Sequence, residues 1–409
     1  MSLELDPRCR ARLIELIAEK LPAMRVRDNH NVDFESSWPL AEANKALPTK
    51  INDELSDYID DVPLYTFVME YIDGLLSHKL THDADAPETL LLDLLEVERT
   101  DLAHKIVDDF CALPRQYQLA SRLNQYVCAA LLPLLDQHHS MNISSHLTIV
   151  RVDDGYQEKF ALPKLSFGLL GLAKPPIMID DILLVIKKNG FITHFGSTKT
   201  VAHAVSDLKA FVGIGIALGL FDDASLSPPP DMQRSTAGLI VHRRLGDKWN
   251  YLNTKELPPR VSKFIESLKI SRPELTNGKL TAVQKTYADM VQGHRIALAG
   301  EWFFDSRASE NDLVAFVQGM IVMEILFGDE NQSGDLGLQR LIANRCAYLI
   351  ANSIDFRNYV IRRFPKIYKV RSKIVHSGKT HLTREEKEFL FELRMLCAMS
   401  IKAEIGRIV

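Results

Sequence analysis

Cysteine is scarce in this sequence and poorly placed for bonding. The five cysteines, Cys9, Cys111, Cys128, Cys346 and Cys397, are odd in number and far apart. That argues against a disulfide framework or a zinc knuckle, and buried thiols in a reducing compartment are the expectation. Long apolar runs are also missing. The most apolar stretch, Phe211 to Phe221, has eleven residues, against roughly twenty for a bilayer span. The charged N-terminal residues show no signal-peptide pattern. A cytoplasmic protein with no membrane partner is expected. Phosphate loops are lacking too. The glycines of GIGIALG do not follow a strand in a G-x-G-x-x-G pattern, and SGKT at 377–380 lacks the glycines that precede it in a P-loop. No cofactor and no metal are therefore expected, and the glycines are read as allowing a helix to pack closely.

What is present is enough apolar material for real cores. At 46% apolar and 25% charged, the chain is globular, and its 409 residues suit two or three domains. Residues 1–140 read as a mostly helical region. Apolar residues at helical spacing precede Pro22, and again cover Leu64 to His82, Thr89 to Ala112 and Tyr117 to Leu135. Many carboxylates crowd 74–109 without catalytic spacing, which reads as a solvated face.

Near 141 the period changes, and 141–265 reads as a mixed α+β domain. LTIVRV at 147–152 is a strand candidate. Ile177 to Lys188 and the run beginning at Gly190 read as two strands joined by an Asn189-Gly190 turn. A buried helix is expected at 206–221, a loop at 225–231 and a second hairpin at 237–253. Residues 266–409 then read as a bundle of about five helices. One covers 280–307, an apolar central one runs from Asn311 to Phe327 before Gly328, and a third covers 337–353. The next starts near Ile354, meets Pro365 and stops at Gly378. Thr383 and Glu386 have the spacing of a capping box that opens the last one. The fold class is thus mainly α with a mixed α+β middle region.

Charge is segregated. From Arg340 to Thr380 there are ten bases and one acid, Asp355, a net of 10 − 1 = +9, which leaves −13 for the rest of a chain whose total is −4. A basic patch on an acidic protein suits a polyanion such as nucleic acid. A docking face for the acidic N-terminal helices of the same chain is the lesser reading of the same charge. Inside the patch, Arg371 and His376 lie five residues apart, about 140° on an ideal helix. A near-neutral histidine can move the proton of a ribose hydroxyl, and an arginine can hold a phosphate and offset its developing charge. With RNA's own 2′-hydroxyl as nucleophile no metal is required, the products are a 2′,3′-cyclic phosphate and a 5′-hydroxyl, and DNA is spared.

The six-residue string alone is weak, but its surroundings carry a resemblance. MEILFG at 323–328, LQRLIANRCAYLIA at 338–351, and Tyr368 with RSKIVHSG at 371–378 resemble the HEPN superfamily. Its members carry Arg-x-x-x-x-His in a four- or five-helix bundle. Within it, the likeness is greatest to the ApeA-like proteins of bacterial phage defence. The resemblance covers 266–409, with a looser likeness from about 141. It implies a HEPN-like bundle with Arg371 and His376 as catalytic residues, in a composite site formed when two bundles pair as a homodimer. Ser372 stands where many members have Asn, Asp or His. Glu324 matches an acid of the group, paired with Arg345 or Arg371, or simply part of a buried ion pair. Tyr368 either lines the groove or packs. Arg345, Arg362, Arg363, Lys369 and Lys373 are the expected RNA-binding bases. The implied function is a toxin-like endoribonuclease whose trigger or inhibitor binds residues 1–265. The alternative is a non-catalytic module that binds nucleic acid or protein.

Overall fold

The computed structural model describes residues 7–23, 66–71, 96–112, 115–123, 125–135, 140–160, 177–193, 198–223, 238–270, 275–289, 292–328 and 337–408. The chain divides into two compact units. One contains residues 1–117, 188–203 and 243–247. The other contains 118–187, 204–242 and 248–409, so most of the sheet and all the C-terminal helices belong to it. The expectations for 25–60, for 225–231 and for most of the acidic stretch before 96 lie outside the described residues.

In the first unit, α1 (Pro7–Lys20) ends in a short 3-10 turn over Leu21–Ala23 that contains the expected breaker Pro22. It packs on α2 (Glu96–Cys111), and Arg10 of α1 pairs with Asp108 of α2. Residues 66–71 are helical, and Phe67 there meets Phe110 edge-on with ring centroids 5.0 Å apart.

Among the described residues of the middle region, β1 (Arg115–Arg122), β2 (Ser140–Asn142), β3 (Leu147–Arg151), β4 (Ile182–Gly190), β6 (Gly238–Leu245) and β7 (Lys248–Glu256) form a six-stranded sheet. Its order is β2-β3-β4-β1-β6-β7. The pair β2–β3 and the pair β3–β4 are antiparallel, with Met141 opposite Ile149 and Leu147 opposite Ile186. The expected strand at 147 and hairpin at 237–253 are both present, and Gly246 turns the hairpin with φ 59°.

Two expectations fail here. The first is the helix from Tyr117 to Leu135, whose first part is β1. The segment RQYQLASR has no β-branched residue and is rich in helix formers. Yet Tyr117, Gln118, Leu119, Ala120 and Ser121 are all buried, and β1 lies between β4 and β6. Burial on both faces of a central strand outweighs propensity. Only α3 (Gln125–Leu135) is helical. The second is the Asn189-Gly190 turn. These residues end β4, and no second strand follows over 191–193. Gly190 has φ 155°, and a Cβ there would sit 2.2 Å from Thr200 Oγ1, which accepts the Phe191 N–H at 3.2 Å. The glycine serves a close approach by the next helix.

Behind the sheet, α4 (Asp154–Lys159) is capped by the Asp153 side chain, which accepts the Tyr156 N–H at 2.7 Å. Tyr156 and Phe160 join Ala120, Leu183 and Val185 in one core cluster. The expected buried helix is α5 (Lys199–Ala217), longer than read. Among the described residues it is the one helix long and apolar enough to cross a membrane. Most of it is buried against protein. At Gly213 an added Cβ would stand 1.9 Å from the Gly300 carbonyl oxygen, so α5 crosses the helix that carries Gly300 backbone to backbone. The reading of GIGIALG as a close-packing device is correct. After α6 (Pro259–Glu266), β8 (Leu268–Lys269) pairs antiparallel with β5 (Asp222–Asp223) and packs against α3.

Among the described residues six helices follow: α7 (Thr276–Ala288), α8 (Gln292–Ala308), α9 (Asp312–Phe327), α10 (Leu338–Ile350), α11 (Ile354–Ser377) and α12 (Arg384–Ile408). The single helix expected over 280–307 is two, because Asp289 leaves helical geometry with ψ 111°. Helix α9 is the central one, capped by Asn311 and in contact with α8, α10, α11 and α12. Cys111, Cys128, Cys346 and Cys397 are free thiols, and all of these but Cys128 are buried. Burial pushes the Cys346 thiol up to about 12.

Candidate nucleic-acid interface

Helix α11 organises the basic patch. Ser353 starts it, its hydroxyl accepting the Phe356 N–H at 3.2 Å, and Gly378 stops it in the left-handed conformation at φ 60°. Pro365 sits inside the helix without ending it. The buried face is Val360, Phe364, Ile367 and Val370, at the 4-3-3 spacing of one apolar stripe. Opposite it, Arg362, Lys366, Lys369, Lys373 and His376 are all exposed. Their spacing of 4-3-4-3 keeps them within about 40° either side of one line, over about 21 Å of helix. A row of four cations therefore runs along the solvent face and ends at the histidine. Lys366 was not among the expected contacts, although the spacing that places it there is plain in the sequence.

Other bases of the patch are answered inside the bundle. Arg363 makes a two-pronged pair with Glu392 of α12, both contacts 2.7 Å, and lies over the Phe389 ring at 4.3 Å. Its guanidinium is committed to packing α11 on α12. Lys379 reaches Glu386 at 3.0 Å. Glu386 belongs to the expected capping box, which is complete: Thr383 N–H donates to Glu386 Oε2 at 2.8 Å and Glu386 N–H to Thr383 Oγ1 at 3.3 Å. Burial alone would raise the Glu386 pKa, but these bonds and Lys379 hold it below the usual carboxylate value.

Arg371 and His376 diverge. Arg371 turns inward and stands 3.5 Å from Glu324 Oε1 on α9, both side chains about a quarter exposed at 25% and 26%. Glu324 thus pairs with Arg371, while Arg345 donates to the Phe327 carbonyl at 2.9 Å. The Arg371 Nε is buried without a hydrogen-bond partner, so the guanidinium retains donor capacity that Glu324 does not use. His376 is exposed on the opposite flank. Tyr368, three residues before Arg371, shares its side of the helix, and Ser372, four before His376, shares that one; both are half-buried. Within one chain, then, the arginine and the histidine do not point into one groove.

One constellation outside the patch looks like catalytic machinery. Ser144 Oγ lies 3.2 Å from His146 Nδ1, and His146 Nε2 lies 3.5 Å from Asp207 Oδ2. The Ser144 hydroxyl also accepts the His146 and Leu147 N–H groups at 3.2 and 3.0 Å. That locks the turn between β2 and β3, so the serine serves as a turn acceptor and not as a nucleophile.

No protein-family model matches the chain, and no curated protein or solved structure matches it.

Proposed function

We propose that the protein is an endoribonuclease whose site is completed by a second copy of the chain, on a HEPN-like bundle formed by the C-terminal helices. The observation that carries this reading is the exposed cationic row of α11 that ends at His376. Such a row tracks a phosphodiester backbone, and the histidine at its end meets one phosphate. Arg371 of a facing copy would supply the guanidinium that His376 lacks in its own chain, with Tyr368 beside it and Ser372 beside the histidine. In the reaction the RNA 2′-oxygen forms a bond to phosphorus as its proton passes to a base. The bond from phosphorus to the 5′-oxygen breaks, and that oxygen takes a proton. Arginine offsets charge on the non-bridging oxygens. No metal enters the step. The role is that of a toxin-like effector of phage defence in the cytoplasm, with residues 1–265 binding the trigger or inhibitor.

A second reading has its own support. Because Glu324 holds Arg371 inward, the chain also suits a module that grips RNA and does not cut it. One experiment separates the two. Purified protein incubated with single-stranded RNA and chelator should yield fragments ending in 2′,3′-cyclic phosphate, and His376→Ala should abolish them while leaving RNA binding nearly intact. Equal cutting by His376→Ala overturns the ribonuclease reading. Binding without cutting by the unaltered protein establishes the second one.

A further inference from the structure

The C-terminal parts of α9, α10 and α12 and the start of α8 line an open groove of about 710 Å³. It is lined by three arginines, Arg295, Arg345 and Arg407, and one acid, Glu404, a lining charge of 3 − 1 = +2. Glu404 stands between two of them, 3.2 Å from Arg295 and 3.5 Å from Arg407. Its side chain is only 9% exposed, whereas Arg407 is 69% exposed. The carboxylate therefore holds two of the guanidiniums at the groove wall. Arg295 Nε is buried with no hydrogen-bond partner. The groove wall also holds Tyr348, which is 66% exposed and has the Arg357 guanidinium 4.4 Å from its ring centroid.

Arginines that hold phosphate beside an exposed aromatic ring are the combination that binds single-stranded nucleic acid, the cations along the backbone and the ring under an unpaired base. The groove is also tied to the motif. Arg345 donates to the carbonyl of Phe327, and Phe327 lies three residues beyond Glu324, the partner of Arg371. Positions three apart share a helix face and differ by about 4.5 Å in height. We infer that this groove is a second binding position for a single-stranded RNA, holding the phosphate and base next to those at Arg371, with Tyr348 as the stacking platform. The inference rests on the proposed RNA-directed function and names the strand path that the function would use.

The test uses the full chain carrying His376→Ala, so that the strand stays uncut, and a short fluorescein-labelled oligouridylate read by anisotropy. Adding Tyr348→Ala should weaken binding about tenfold, the worth of one stacked base. Adding Arg407→Ala should weaken it several-fold and flatten the slope of log K against log salt by about one. Both side chains are exposed, so the fold should survive, and matched melting curves verify that. Uridine monophosphate should displace the probe better than inorganic phosphate. Unchanged affinity and salt slope in both variants overturns the inference. So does displacement by inorganic phosphate as effective as by the nucleotide, or a change of oligomeric state in Tyr348→Ala, which would make the groove a contact between copies. Cutting that persists in His376→Ala sinks the ribonuclease reading while leaving these binding results to stand or fall alone.

Discussion

His242 on β6 shows how one buried group couples this fold to pH. It is 0% exposed, with the Phe160 ring 5.3 Å and the Tyr251 ring 5.9 Å away. Burial drops its pKa to about 4, partly offset by the Phe160 backbone. The unfolded chain takes up a proton near pH 6.5 while the native one does not, so stability is complete above that value. It declines as pH falls from about 6.5 to 4, by an amount on the order of 3 kcal/mol. Chemical denaturation at pH 7 and pH 4.5 should show this loss, and His242→Phe should remove most of it. An unchanged pH dependence in His242→Phe would show that other groups govern acid sensitivity. The quarter-exposed pair of Arg371 with Glu324 at 3.5 Å contributes little to stability, since such pairs contribute about 0–1 kcal/mol. Its value lies in where it aims the guanidinium.

Elements here were legible where local chemistry and packing agree. The Asn311 cap, the Thr383–Glu386 box and the Gly378 stop were readable because each needs only a few neighbouring residues. The apolar face of α11 and its opposite cationic row follow from spacing alone. Failures came where distant partners decide. RQYQLASR is a strand because β4 and β6 flank it, and Asn189-Gly190 ends a strand because Thr200 packs on the glycine. The α5–α8 crossing makes the same point in energy. Gly213→Ala would force a methyl 1.9 Å from the Gly300 oxygen, and overpacking of this kind costs about 1–3 kcal/mol. Gly278→Ala in α7 has nothing within 4 Å of its Cβ, so it should be neutral or slightly stabilising. A urea titration of both variants tests the contrast, and equal midpoints would disprove the tight crossing.

On the scale of the whole molecule, the divergence of Arg371 and His376 makes a second copy part of the proposed chemistry. Arg371→Ala and His376→Ala should each be inactive. Mixed after co-unfolding and refolding, half the dimers would contain one of each, and one of the two Arg371–His376 pairs that meet across the composite site would be intact, so about a quarter of the native activity should return. No recovery, with mixed dimers verified by mass, would place arginine and histidine of one chain in one site and defeat the composite arrangement. In the proposed function the row on α11 and the groove arginines act through phosphate, so raised salt should weaken RNA binding steeply, and salt-independent binding measured by anisotropy would count against it.

The mainly helical class, the mixed middle region, the caps of the bundle and the basic segment around Arg371 and His376 all depend on residues near one another in the chain, and each can be read from it. Which of those bases remain available depends instead on packing between helices. Arg363 and Lys379 are answered by Glu392 and Glu386 of α12, and Arg371 by Glu324 of α9, whereas Arg362, Lys366, Lys369 and Lys373 remain exposed in a row. That packing also assembles Arg295, Arg345, Tyr348 and Arg407 from three helices into one groove. Charge and spacing are written along the chain, but whether a cation meets an acid or solvent depends on which helices lie against it.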